Sequence, residues 1–459
     1  MKRDSDRNEK PFIKFGVATK DITPKKPLWL DGYFGRARPY VSVREPLSLG
    51  CLAVSDGTKT VLLFCIDSLG LQHSICLEIF SMLEREVGID YPDVMLSCSH
   101  THFAPAMRWE GFAGVEGYFI SPDQEYLEDL FAKILAAAKE SISNMKVGVM
   151  ETARTYVPQV HFNRRTRRKS DGRIKTSFLY PSNPEELDFS PVDSELFMLR
   201  FKDESGVRAV LANFACHPVV NYGERAVSED MISADFPHYM RETIRAAYGC
   251  PALFSLGAAG DVVPMDRYVE NRRVIGEILG NSVVLSERRF KADESAKIAT
   301  ASIALKAKTR RNIDSEEAER EFYKLMAEHG PKLFDPEKPA GSQIYGTPEW
   351  EKYNPVIAHY YESKLYGKSS FDIPIQFMRI GESVMVSLPF EVLSEIGIEM
   401  KKSFPNSVLV SCANGYNGYL PMKHEFDRGG YEISAPAMHF APDTGDRVLE
   451  AILQKLKSF

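Results

Sequence analysis

Four apolar runs in this chain each break off at a side chain able to hold a metal ion. Val94-Met95-Leu96-Ser97-Cys98 leads into Ser99-His100-Thr101-His102. The run 210–216 leads into His217-Pro218, the run 384–390 into Glu391, and the run 408–412 into Asn414-Gly415-Tyr416. Short apolar runs bounded by turn residues read as buried strands. In α/β sheets, ligands gather outside the carboxyl ends of strands. A fold that gathers these four ends brings His100, His217, Glu391 and Tyr416 to one point. Two imidazoles, a carboxylate and a further oxygen, with room for water, suit catalytic zinc, whereas structural zinc sites are closed and rich in thiolate. Singly, each residue has a plainer reading: His217 caps a strand, Glu391 opens a helix, and Tyr416 is a rim aromatic in a Gly/Asn loop. In extended backbone His100 and His102 point the same way. They are therefore expected to face one site, although an isolated pair of this spacing is more often two ordinary polar residues.

The elements around these runs are mixed. The stretch 59–67 reads as a strand, 74–87 as a helix and 94–99 as a strand. This βαβ unit implies parallel strands and a right-handed crossover. Ser121-Pro122-Asp123-Gln124 carries a Ser cap, a Pro at the first helical position and a Gln three after the cap. It predicts a helix to about residue 143. Stretches 195–202 and 206–215 read as a hairpin, 237–248 as a helix and 252–256 as a strand. The last enters Gly257-Ala258-Ala259-Gly260-Asp261, which lacks the Gly-Lys-Ser/Thr tail of a phosphate-binding loop. Residues 314–366 are charged and helical, with a Pro/Gly-rich middle, and read as a helical insertion or lid. Strands resume at 373–380.

Composition narrows the classes. The 459 residues suffice for a large core, and 44% hydrophobic with 26% charged residues is ordinary for a soluble globular protein. A net charge of −6 argues against a nucleic-acid partner. No apolar stretch approaches the length of a membrane span. The first 14 residues are polar and charged, unlike a signal peptide. Cytoplasmic residence is the expectation, with a removed export signal left open. The seven cysteines lack C-x-x-C spacing, and four lie inside apolar strand patterns. They read as buried free thiols. The partner class is a small-molecule substrate, and the oligomeric state is left open.

Several motifs together resemble the N-terminal catalytic domain of the neutral/alkaline, non-lysosomal ceramidases. Gly16-Val17-Ala18-Thr19-Lys20-Asp21-Ile22-Thr23-Pro24, followed by Gly32-Tyr33, resembles the family's start. Ser99-His100-Thr101-His102-Phe103-Ala104-Pro105, Asn163-Arg164 and Asn213-Phe214-Ala215-Cys216-His217-Pro218 resemble its next segments. Ser233-Ala234-Asp235, Leu388-Pro389-Phe390-Glu391, Asn414-Gly415-Tyr416-Asn417-Gly418-Tyr419 and Tyr431-Glu432 follow in the family's order. The resemblance implies an α/β fold of mixed β-sheets with flanking helices, forming one domain over 1–459 with the insertion at about 314–366. It implies one zinc on His100, His217, Glu391 and Tyr416, the same four residues as the strand ends.

The chain also departs from the family. A catalytic Gly-Asp-x-Ser-Pro motif reads Gly260-Asp261-Val262-Val263-Pro264, with Val263 in place of the serine. The chain is also expected to lack the family's C-terminal β-sandwich. These departures make ceramide an unexpected substrate. The expectation is a zinc-dependent hydrolase of a linear amide, or of an ester, using metal-activated water. His102 is its proton carrier, and Arg164 and Tyr419 its substrate or oxyanion contacts. Asp67 and Asp235 are expected to orient metal-bound imidazoles. Trp109, Phe112 and Phe119 are candidate pocket aromatics. Two alternatives stand beside it: a non-catalytic metal- or ligand-binding relative, and a hydrolase of a glycosidic or sugar-ester bond.

Overall fold

Strands buried on both faces have nearly continuous apolar sequences, and the strand Ser48–Ser55 shows why they are needed. Leu49, Cys51 and Ala53 face one apolar core, while Leu52 and Val54 face another. A computed structural model describes residues 13–33, 38–108, 121–221, 230–333, 348–367, 369–434 and 437–459. The candidate aromatics Trp109, Phe112 and Phe119 lie outside the described residues.

Two β-sheets stack face to face and helices cover their outer faces, giving four layers. The larger sheet runs Ala252–Leu256, Gly206–Phe214, Glu195–Asp203, Lys146–Tyr156, Ile13–Asp21, Ser48–Ser55, Thr60–Ile66 and Val94–Cys98. It is antiparallel except at its two ends, where Gly206–Phe214 pairs in parallel with Ala252–Leu256, and Thr60–Ile66 with Val94–Cys98. The smaller sheet orders Ile298–Lys308, Ser370–Ile380, Ser383–Ser387 and Ser407–Val410. Phe15, Leu63, Phe197 and Leu211 of the first sheet meet Met378, Met385, Val408 and Val410 of the second.

The helices are α1 (His73–Val87), α2 (Gln124–Ser143), α3 (Phe236–Tyr248), α4 (Asn271–Leu285), α5 (Ser315–Leu333), α6 (Pro348–Tyr366), α7 (Ser394–Ser403) and α8 (Thr444–Ser458). The first four bury apolar faces on the larger sheet, and α7 and α8 on the smaller. The mixed-sheet α/β architecture is the one the sequence predicts, and α5 and α6 fill the expected helical insertion. They share a small core of their own, in which Phe322 and Tyr360 stack at 4.1 Å. No helix among the described residues is long and apolar enough to cross a membrane.

Some expectations are corrected. Helix α2 is capped by Asp123, which accepts from the Tyr126 amide, rather than by Ser121. Strand Ile298–Lys308, eleven residues long and largely half-exposed, lacks the apolar run that marks the others.

At one edge the two sheets are tied together. The Asn414 amide donates to the Leu96 carbonyl, the Cys98 amide to Cys412, Ser411 to Leu256, and Cys412 to Phe390. These bonds gather the carboxyl ends of strands from both sheets.

A candidate metal centre

His100 and His102 reach one site by a different route from strand alternation. The strand ends at Cys98, and His100 has φ +66°, in the left-handed region. The His100 amide donates to the Ser68 carbonyl at 2.8 Å. That conformation turns the ring inward, and His102 follows in a turn with its Nε2 3.3 Å from the His100 Nε2. Gly32 is needed opposite: a Cβ there would lie 2.6 Å from the His102 ring. Tyr33 packs beside that ring with centroids 4.9 Å apart.

The backs of two imidazoles are tied to carbonyls. His100 Nδ1 lies 2.8 Å from the Leu69 oxygen, and His217 Nδ1 lies 2.5 Å from the Ala259 oxygen. Each Nδ1 therefore carries the proton, and each Nε2 presents a lone pair. Both lone pairs face Glu391 Oε2, at 3.2 Å from His100 and 2.9 Å from His217. All three residues are buried. Burial pushes His217 down to about 4. Three acceptors this close repel unless a proton or a cation lies between them, and nitrogen and carboxylate donors suit zinc. The residues present fit such an ion.

His100, His102 and His217 together offer ligand nitrogens within 4.8 Å of one another. The Tyr416 hydroxyl meets Glu391 Oε1 in a very short contact, and its ring stacks on His100 at 6.0 Å. Arg108 lies over the Tyr416 ring at 4.4 Å and is paired with Asp31. Arg164 donates to the Tyr419 hydroxyl and the Gly260 carbonyl, both at 2.9 Å, and to Glu432 at 2.7 Å. Burial pushes the Tyr419 phenol well above its ordinary range.

The fold around this centre has known counterparts. It is the fold of neutral ceramidase. The crystal structure of neutral ceramidase from Pseudomonas aeruginosa superposes with a TM-score of 0.68 at 15% identity, covering 97% of this chain and 74% of that one. A structure described as ceramidase complexed with C2 gives 0.67 at 15% identity, covering 96% and 74%. No family model and no curated sequence matches the chain.

Two expected residues are engaged elsewhere. Asp67 takes both guanidinium nitrogens of Arg241, at 3.0 and 2.7 Å, and the Ser48 amide. Asp235 caps α3 and accepts the Phe236 and Val220 amides. The Nδ1 atoms they were expected to orient donate to backbone carbonyls instead, because the strand-end loops lie nearer. Val263 is wholly buried against Phe162, Val219 and Met265 in a small apolar cluster.

The sequence reading missed Glu432, which clamps Arg164 and Arg165, and Asp261, which holds Asn163 and Ser394. Both stood inside quoted segments, but burial of a charge leaves no local signature. A second donor group, Glu395, His424 and Glu425, converges on the surface. There Arg165 and Arg428 already occupy the Glu425 oxygens, at 2.5 and 2.9 Å, so its negative charge is met without a metal. All seven cysteines are buried and free.

Proposed function

We propose that the chain is a zinc-dependent hydrolase that cleaves a linear amide, or an ester, in a small polar substrate other than ceramide. One observation carries this reading: two imidazole nitrogens and a buried carboxylate oxygen converge on one point, an arrangement that a bound cation reconciles. Tyr416 is the fourth candidate ligand. Zinc, when bound, lowers the pKa of a coordinated water to about 7 and polarises a carbonyl. His102 would hold and move the proton delivered to the leaving amine. Arg164 and Tyr419, joined to each other, offer N–H and O–H donors to the developing oxyanion. Glu432 holds the Arg164 guanidinium in place for that contact. With Val263 sealed in apolar packing, the route uses no serine nucleophile at that position.

Among the described residues, Arg108, Arg164, Tyr33 and Tyr419 stand around the donors, which supports a polar substrate. Seven free cysteines support a cytoplasmic location. The buried Val263 also favours a second reading, a relative that keeps the metal to bind a ligand without turnover. Metal analysis combined with a screen of amides, esters and glycosides tests both. Stoichiometric zinc with short N-acyl turnover exceeding that of long-chain ceramide is the expected result. Zinc without turnover favours the binding reading, and a protein that takes up no zinc overturns both.

A further inference from the structure

The helical insertion carries a buried carboxylate that faces the candidate centre's outer strap. Glu362 of α6 is wholly buried. Its Oε1 accepts from Arg311 at 2.6 Å and from His439 Nδ1 at 3.2 Å. Among the described residues its Oε2 has no hydrogen-bond partner. A half-used carboxylate is a poor way to stabilise a helical hairpin, because an apolar residue of the same volume avoids the desolvation cost. What the carboxylate does provide is a fixed ring orientation for His439.

That ring backs a turn. Gly418 has φ +72°, and a Cβ there would lie 2.4 Å from the Ala437 carbonyl oxygen and 3.3 Å from both Cδ2 and Nε2 of His439. The Gly418 carbonyl accepts the Glu391 amide at 2.9 Å. The Tyr419 amide donates to the Ala437 carbonyl at 3.0 Å, and Tyr366 of α6 meets the Asn417 side chain at 3.4 Å. The strap from Tyr416 to Tyr419 is thus clasped between Pro389–Glu391 on one side and α6 with residues 437–439 on the other.

We propose that Glu362 is a positioning residue, which through His439 fixes the Gly418 turn and thereby sets Glu391, Tyr416 and Tyr419 around the metal. The α5–α6 insertion is then a working part of the centre. The proposal rests on the metal-site reading above.

Cobalt(II) titration into metal-stripped protein tests it, reading affinity and visible absorption bands, with melting temperature measured alongside. Glu362→Met fills the space without an acceptor, and Glu362→Gln keeps the acceptor. The expected result is cobalt binding about 10–100-fold weaker with shifted bands in Glu362→Met, the worth of an outer-sphere partner. Glu362→Gln should stay within about threefold of wild type, because its side-chain oxygen still receives the His439 N–H. Wild-type affinity and bands in Glu362→Met, or equal losses in the two variants, overturn the proposal. If Glu362→Met does not fold, His439→Asn decides. It keeps a donor for Glu362 but withdraws the ring from Gly418, so an unchanged cobalt spectrum there overturns the proposal. Wild-type protein that binds no cobalt takes the metal-site reading down, whereas normal wild-type binding with unaffected variants removes only the role of Glu362.

Discussion

His161 and His217 are both buried, and burial holds each imidazole down at about 4. Each Nδ1 donates to a backbone carbonyl, Ala215 for His161 and Ala259 for His217. They differ at the far nitrogen. His161 Nε2 meets the Ser194 hydroxyl at 3.0 Å, which can donate to it. His217 Nε2 meets a Glu391 oxygen at 2.9 Å, which can only accept when ionised. The first imidazole is satisfied by the protein alone, whereas the second faces an acceptor that only a further proton or a cation can reconcile. A histidine marks a metal site when its remaining nitrogen is left facing another acceptor; burial and a tied back are shared by both kinds.

The largest expected effect breaks this contrast directly. His217→Ala, or His100→Ala, should lose stoichiometric zinc and activity together, well beyond the ~10–100-fold that outer partners are worth. His161→Gln should keep its zinc. Metal analysis of the three purified variants checks this, and full zinc in a His100/His217 double alanine variant removes the assignment.

Next in size is His102. Its Nε2 stands as close to His100 as a ligand would, yet its proposed work is proton transfer. His102→Ala should retain zinc while turnover falls by roughly 10²–10⁴. Loss of zinc instead makes His102 a ligand and the pair misassigned.

The contrast also has a pH signature. The folded pKa of His161, about 4, lies below its unfolded value of 6.5. The folded state therefore binds fewer protons between these values, and stability falls as pH drops through that window. The full penalty, about 3 kcal/mol, is reached below pH 4. Denaturant unfolding of wild type and His161→Gln at a series of pH values should show the variant losing that part of the slope. Parallel slopes would contradict the expected burial.

The smallest effect concerns Val263. Val263→Ser places a hydroxyl in an apolar cluster and should cost about 1–3 kcal/mol, with turnover changed little. A large gain in activity would show that a serine route is latent here.

How much was legible follows a physical division. The apolar runs at 94–98, 210–216, 384–390 and 408–412 announced strands, because burial on both faces leaves a local mark on sequence. The βαβ unit was legible for the same reason, and so were the donors at strand ends, since residue type and position along the chain are local facts. The long strand Ile298–Lys308 was not, because its exposed face interrupts the apolar pattern.

Contacts between distant residues were not legible either. Asp67 was expected behind an imidazole, but its oxygens went to Arg241, 174 residues away. Glu432 holds an arginine 268 residues before it. His100 and His102 were expected to meet through strand alternation, and they meet through a left-handed backbone that the surrounding loops impose. The sequence by itself determined which side chains would stand at the ends of which strands. Only the tertiary structure decided which atoms of those side chains face one another, because hydrogen-bond direction and charge pairing depend on neighbours that chain order does not supply.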